Sequence, residues 1–522
     1  MNTKLLTTSK QDIETAGEIL RGGGLVAFPT ETVYGLGANA LDKAAVKSIY
    51  AAKGRPSDNP LIVHIAKKED FAPLVREITP KAQALIDAFF PAPLTIILPK
   101  SDLIGSVVSG GLGTVAVRMP QNETARAVIA AAGVPIAAPS ANTSGKPSPT
   151  NAQYVYEDMN GRIDAIVDGG ECEFGVESTV ITLAGETPVI LRPGAVTQEM
   201  LEAVIGRVEL SPAVLNELAE NETAASPGMK YKHYAPKARI ILVEGSRDNY
   251  ERFVNMQRDC AALCFEGDNI TIPKVTYGAE DNALSQSHEI FSALRRLDEI
   301  GAKKAYARAP EKSGVGMAVY NRLIRAAAFC VLNLTKPFTI GLTGLTGAGK
   351  GYVCERLEAR GYRILSTDLY ARRAVEKNSP LLGILAGEFG QDIIENGELN
   401  RALLAGRAFA DSAKTARLNE IMHPEIIKMC RADASCPCVL DASQLFESGA
   451  DALCSRLLCV SAPEELRLKR IIERDGITEQ QARQRMGAQL SEETLESGAD
   501  YVIINDGRDI NSQLDEFINN YL

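Results

Sequence analysis

At 522 residues the chain is too long for one hydrophobic core and reads as three or four domains. With 45% apolar and 23% charged residues it has the make-up of an ordinary globular protein, and its net charge of −10 argues against a broad electrostatic surface for nucleic acid. No apolar run is long enough to span a bilayer, the first residues carry no signal-peptide core, and ten cysteines in so long a chain give no disulfide framework, so a cytoplasmic protein without a membrane partner is expected.

The chain begins with alternating strands and helices. Asp12 to Leu20 and Ala44 to Ala52 have helical spacing. Leu25 to Phe28, Leu61 to Ile65, Leu94 to Leu98, Thr114 to Val117, Val134 to Ala137, Val180 to Leu183 and Val189 to Leu191 read as strands. Together they predict an α/β domain with a twisted sheet over residues 1–205. The chemistry-bearing residues collect between these elements. Singly, each is an ordinary surface or turn residue. Jointly, Lys53, Arg55, Arg118 and Arg192 supply positive charge near element ends, while Thr114, Ser140, Asn142 and Ser178 supply directed donors. That grouping describes a polyanion site at the strand ends of an α/β sheet.

The runs F-P-T-E-T-V-Y-G-L-G, A-K-G-R-P-x-x-N-P-L-I-V-H-I, V-R-M-P, A-P-S-A-N-x-S-G-x-P-S-P-T and G-V-E-S-T occur in that order. Over residues 10–200 they resemble the YrdC family of threonylcarbamoyl-AMP synthases. The resemblance implies that L-threonine, bicarbonate and ATP give threonylcarbamoyl-adenylate and pyrophosphate. A separate transferase machinery would then use the product to make threonylcarbamoyladenosine on tRNA, so no direct stable nucleic-acid binding is expected. By the same resemblance Lys53, Arg55, Asn59, Thr114, Ser140, Asn142, Ser148 and Arg192 hold ATP, with Lys53 and Arg55 in catalytic roles. Thr32, His64, Arg118 and Ser178 surround threonine, with Arg118 paired to its carboxylate. The chemistry suits these residue types, because attack of a threonine carbamate on the α-phosphorus needs charge neutralisation and positioning rather than a protein nucleophile. His64, in the apolar run L-I-V-H-I, has a second reading as a hydrogen-bonded core histidine.

After Gly206 the pattern loosens, with a short helix expected from Ser211 to Asn221. Residues 206–237 read as a linker. Within them P-G-M-K-Y-K-H-Y-A-P, bracketed by prolines, is a poor helix or central strand. It resembles the linker of the long, two-domain synthases, which folds back over the cleft and touches the nucleotide with a tyrosine. Tyr234 is favoured over Tyr231 for that contact. Residues 238–335 then predict a small Rossmann-like accessory domain. Its strands are Arg239 to Val243 and Ala261 to Phe265, and its helices Ser285 to Ile300 and Met317 to Val331, with Leu294, Leu297 and Ile300 on one helix face. The resemblance gives it a regulatory or lid-like role.

Residues 336–522 open on F-T-I-G-L-T-G-L-T-G-A-G-K-G. A β-rich run leads into the spacing Gly344-x4-Gly349-Lys350, a phosphate-binding P-loop. A second strand ends in Ser366-Thr367-Asp368, a third in Asp441, a fourth runs from Arg456 to Val460, and a last strand ends at Asn505. Helices are expected from Pro463 to Arg474 and from Thr478 to Leu490. This alternation predicts a P-loop domain with a parallel sheet. A P-loop alone leaves NTPases and kinases of many kinds open.

The accompanying runs F-G-Q-D-I-I-E-N-G-E-L-N-R, L-N-E-I-M-H-P, L-F-E-S-G, R-x-x-R-x-x-x-R-D-G and A-D-Y-V-I-I-N-D-G resemble dephospho-CoA kinase over residues 338–520. That implies transfer of phosphate from ATP with Mg2+ to the 3′-hydroxyl of dephospho-CoA. Gly347, Ala348, Gly349, Lys350, Gly351 and Tyr352 would form the ATP cradle. Asp368 would orient or deprotonate the hydroxyl and take the metal. Arg470 and Arg474, one helical turn apart, would close as a lid; with Arg467, Lys469 and Arg485 nearby, a solvated helix face is the other reading. His423 reads as a structural or substrate-side residue rather than a base. The chain departs from the family pattern at Gly351, where Ser or Thr is usual, and at Ser366, where Asp is usual. Mg2+ is therefore expected to rest on ATP, water and Asp368. A regulatory nucleotide-binding module, or a kinase for another acceptor, stands as the alternative. The groupings Cys430, Cys436, Cys438 and Cys454, Cys459 lack metal-ligand spacing.

Overall fold

The computed structural model describes residues 2–216, 234–487 and 489–522. They fall into two compact units, Met1–Leu242 with Arg258–Val331, and Val243–Gln257 with Leu332–Leu522. Both are α/β. Among the described residues no helix is long and apolar enough to cross a membrane.

In the first unit an 11-stranded mixed sheet carries the cleft. Ile62–His64 runs parallel to Thr114–Arg118 and sets His64 beside Arg118 in register. The core beneath is built from fully buried Leu94, Ile96, Leu98, Val63 and Val117. Helix Lys43–Lys53 starts where Asp42 accepts from the Ala44 and Ala45 amides and stops at Gly54, whose φ of 63 suits glycine. Lys53 thus lies in the last helical turn, and Arg55 follows the cap.

Strand Gly35–Asn39 was not among the expected strands. It pairs antiparallel with Val26–Phe28, and a Cβ on Gly37 would lie 2.6 Å from the Phe28 ring, so the glycine admits the aromatic side chain. The helix expected from Ser211 is, over the described residues, a single 3-10 turn, Pro212–Val214; its remainder lies outside them.

The rest of the first unit has parallel strands Ala261–Glu266, Lys274–Ala279 and Lys304–Arg308 with helices Ala283–Glu299 and Gly314–Ala326. The second helix stops at Ala326 rather than Val331, since Ala328 and Phe329 turn the backbone at positive φ into strand Val331–Asn333. Apolar periodicity alone could not separate that turn from a helix. Leu294 and Leu297 are fully buried, but Ile300 caps the first helix and is 51% exposed.

The second unit holds a five-stranded parallel sheet in the order Arg363–Ser366, Cys438–Asp441, Phe338–Gly344, Cys454–Ser461, Tyr501–Ile504. The P-loop strand is central, as a phosphate site at a sheet's carboxyl edge requires. Register places Ser366 opposite Asp441. The second strand stops at Ser366, and Asp368 sits in the first turn of helix Thr367–Ala374 rather than at the strand end.

Candidate active sites

The cleft of the first unit is lined by Lys53, Arg55, His64, Arg118, Ser140, Asn142, Arg192 and Tyr234 among the expected residues. Lys53 is 1% exposed and donates from Nζ to the Ser140 and Asn142 carbonyls, each at 2.5 Å, and to Asn142 Oδ1 at 3.3 Å. Burial first, and the Arg55 charge second, push its ammonium well below the usual lysine range. Burial also brings the Arg55 guanidinium down to about 10. Arg55 Nη2 donates to the Pro60 carbonyl at 3.3 Å, while its Nε and both side-chain polar atoms of buried Asn59 have no partner. Arg55 lines the cleft, and its buried, open donor is a group that a ligand would satisfy.

Around them Ser140 Oγ donates to Asn142 Oδ1 at 2.6 Å, and Arg192 grips the Ser178 carbonyl at 3.0 Å and Oγ at 3.1 Å. Ser178 and Ser148 stand just behind the wall, Ser148 donating to Glu177 at 2.7 Å. Thr114 opens the strand that ends in Arg118, pairs with Pro99, and does not line the cleft. Strand position explains this, because the site lies at the other end of that strand.

Arg118 is buried and already paired. Its Nη2 meets Glu31 Oε1 at 2.6 Å and Thr32 Oγ1 at 3.0 Å, while Glu31 Oε2 accepts from the Gln121 and Asn122 amides. A carboxylate of the protein therefore shares the arginine expected for threonine, and Arg118 Nε is left without a partner. His64 is 3% exposed, with Nδ1 3.2 Å from the Ile62 carbonyl and its ring edge-on to Phe28. Burial, then the Arg118 charge, lowers its pKa to about 3, so the imidazole is neutral. It is a core histidine and a cleft residue at once. Tyr234, at φ 63, is 5% exposed, with its ring 5.1 Å from that of Phe291. Tyr231 lies outside the described residues. Glu31 and Glu177 were missed, since acids in a polyanion site carry the wrong sign for a ligand search.

In the second unit Gly344 and Gly347 allow the P-loop to pass close to other backbone: a Cβ would lie 2.4 Å from the Val460 carbonyl and 2.7 Å from that of Arg467. Lys350 donates to Ser443 Oγ at 2.7 Å and lies 3.9 Å from Asp441 Oδ1. That oxygen is buried without a hydrogen-bond partner, and burial raises the Asp441 carboxyl above its usual range. Asp368 is close enough to add to the effect. Asp441, noted only as a strand-end acid, is thus a P-loop neighbour.

Arg470 reaches the Gly347 and Ala348 carbonyls, both at 3.3 Å, and Asn505 Nδ2 donates to the same Ala348 carbonyl at 2.8 Å. Arg474 departs from the lid expected of it. Its side chain is 62% exposed and held by Asp475 at 2.7 Å, a carboxylate that Arg485 shares. Tyr352 is 47% exposed and stacks with Arg356. Asp368 and His423 face a cavity of about 340 Å³ with Leu418, Met422, Ile426 and Gln489. His423 Nε2 lies 2.9 Å from Gln444 Oε1. Gln489 accepts from the Thr346 amide at 2.8 Å. No cluster of three or more His, Cys, Asp or Glu suited to a metal occurs among the described residues.

Comparison with known proteins divides the chain in three. The family described as "Telomere recombination" matches residues 18–194, "Threonylcarbamoyl-AMP synthase, C-terminal domain" matches 196–328, and "Dephospho-CoA kinase" matches 338–511. A threonylcarbamoyl-AMP synthase of Pyrococcus abyssi is 48% identical over 329 residues, covering 62% of this chain and 96% of that one. A dephospho-CoA kinase of Syntrophotalea carbinolica is 41% identical over 176 residues, covering 32% of this chain and 83% of that one. Among solved structures, P. abyssi Sua5 complexed with L-threonine matches with a TM-score of 0.61 and 44% identity, over 64% of this chain and all of that one.

Proposed function

We propose that this chain, which belongs to the threonylcarbamoyl-AMP synthase family up to residue 328 and to the dephospho-CoA kinase family from residue 338, is a bifunctional enzyme. The first unit converts L-threonine, bicarbonate and ATP to threonylcarbamoyl-AMP and pyrophosphate. The second phosphorylates the 3′-hydroxyl of dephospho-CoA from ATP. The observation that carries this reading is that each unit gathers cations of its own, one set around a cleft at strand ends and one at a P-loop.

In the synthase the carbamate of threonine attacks the α-phosphorus and pyrophosphate leaves. Lys53, Arg55 and Arg192 neutralise the phosphates, while Asn59, Ser140, Asn142, Ser148 and Tyr234 orient the nucleotide. Thr32, His64, Arg118 and Ser178 surround threonine. Its carboxylate takes the open side of Arg118, and the neutral imidazole adds no charge that would repel its ammonium. The product goes to a tRNA-modifying transferase.

In the kinase Lys350 and Arg470 flank the transferring phosphoryl group, and Asp368 accepts the proton of the 3′-hydroxyl. The cavity beside Asp368 is half apolar and takes the acceptor. The donor set fits Mg2+, since Asp441 has a buried, unpartnered oxygen beside Asp368 and the P-loop lysine. Those two carboxylates would hold it with oxygens of ATP, and the ion would supply charge neutralisation on the β- and γ-phosphates. The reading is tested with purified chain: threonine- and bicarbonate-dependent pyrophosphate release without RNA, and CoA formation above an Asp368→Asn control.

A further inference from the structure

Glu177 is a carboxylate in the wall of a cleft that otherwise gathers cations. Left alone there it would repel a triphosphate and would be costly to bury. It is not left alone. Helix Gly314–Ala326, which follows the synthase segment in sequence, inserts Arg322 against it. Arg322 Nε donates to Glu177 Oε2 at 2.9 Å and Nη2 to the Glu177 carbonyl at 3.2 Å, and the two side chains are 0% and 8% exposed. Nη1 holds the Pro193 carbonyl at 2.8 Å, beside Arg192. The other carboxylate oxygen of Glu177 accepts from Ser148 at 2.7 Å. Burial works against ionisation of Glu177, yet Arg322, then Arg192 and Ser148, keep its carboxyl below the usual range. The same helix is moored by Asn321 to the Val214 carbonyl and by Arg325 to that of Ala213, both at 2.7 Å. The preceding helix adds Arg295, which holds the Pro147 carbonyl at 2.7 Å in the loop before Ser148.

We propose that Arg322 is a positioning residue of the synthase, supplied by the accessory segment to cancel the Glu177 carboxylate so that Glu177, backed by Ser148, can stand in the cleft wall that faces the polyphosphate of ATP. The accessory segment then completes the electrostatics of the nucleotide site without touching the reacting atoms. This rests on the reading of the cleft as the ATP site.

The test measures ATP and threonine KM and kcat for pyrophosphate release in the full-length chain, as wild type, R322Q, R322K and R322Q/E177Q. CoA formation by the same preparation normalises enzyme concentration. R322Q takes away the largest counter-charge of a buried carboxylate and raises the ATP KM by about tenfold or more, with threonine KM moving less than about twofold. R322K recovers part of the loss, because a lysine restores the charge but not the fork. R322Q/E177Q, with neither charge, returns the ATP KM to within about threefold of wild type. An unchanged ATP KM in R322Q, or a double variant no better than R322Q, overturns the proposal. If R322Q does not fold, the comparison of wild type with R322Q/E177Q decides: an ATP KM raised about tenfold or more in the double variant overturns it. A wild-type chain that neither binds nor turns over ATP at this cleft overturns the parent reading itself.

Discussion

A Cβ built on Gly351 meets no atom within 4 Å, so packing does not demand glycine there. A hydroxyl at that position would reach toward Mg2+ in a P-loop kinase, and its lack leaves the carboxylates Asp368 and Asp441 to do more. Gly351→Ser should therefore lower the Mg2+ concentration for half-maximal CoA formation several-fold, which a metal titration of the rate would show. In the other unit His64 makes a pH prediction. Its folded pKa of about 3 lies below the ordinary 6.5, so the unfolded chain binds more protons in that window. Stability from this group is fully present above pH 6.5 and falls as pH drops toward 3. From well above pH 6.5 down to pH 5 the loss is about 2 kcal/mol, and His64→Gln should flatten the acid side of a denaturant-stability profile by that amount. That Lys53, Arg55, Arg118 and Arg192 share one cleft was legible because they fall near the ends of elements, where an α/β sheet presents ligands. Their partners were not, because Glu31 pairs with Arg118 across 87 residues and Glu177 with Arg322 across 145. No local pattern connects positions so far apart.

At the level of elements, strands and helices with long apolar periodicity were readable, and their ends were not. Asp368 shows why. Ser366 caps the strand and the chain turns directly into a helix, so an acid read as a strand end is the first-turn residue of the next element. The i, i+4 spacing of Arg470 and Arg474 likewise suggested one working face, but Asp475 captures the second arginine. Arg470→Ala should lower kinase turnover by about a hundredfold, and Arg474→Ala should leave it within about twofold, in a steady-state assay of CoA formation. Tyr234 lines the cleft of the first unit. Tyr234→Ala should raise the ATP KM of pyrophosphate release several-fold and leave CoA formation unaltered; equal losses in both assays would rule out a cleft role for this tyrosine.

At the scale of the whole chain, two units with separate cores carry the two sites proposed for phosphate, which differ in construction. The P-loop was recognisable from phosphate physics in one stretch of sequence, whereas the cleft of the first unit is assembled from positions spread between Thr30 and Tyr234. Family motifs, rather than periodicity, made that second assembly legible. The two chemistries use unrelated acceptors, so disabling one should spare the other. The decisive measurement follows both products, threonylcarbamoyl-AMP and CoA, from one preparation of the full-length chain and its Lys53→Met and Asp368→Asn variants. The prediction is that wild type makes both, that Lys53→Met loses only the adenylate and that Asp368→Asn loses only CoA, each by about a hundredfold or more. A wild-type chain that makes threonylcarbamoyl-AMP but forms no more CoA than Asp368→Asn would contradict the bifunctional assignment.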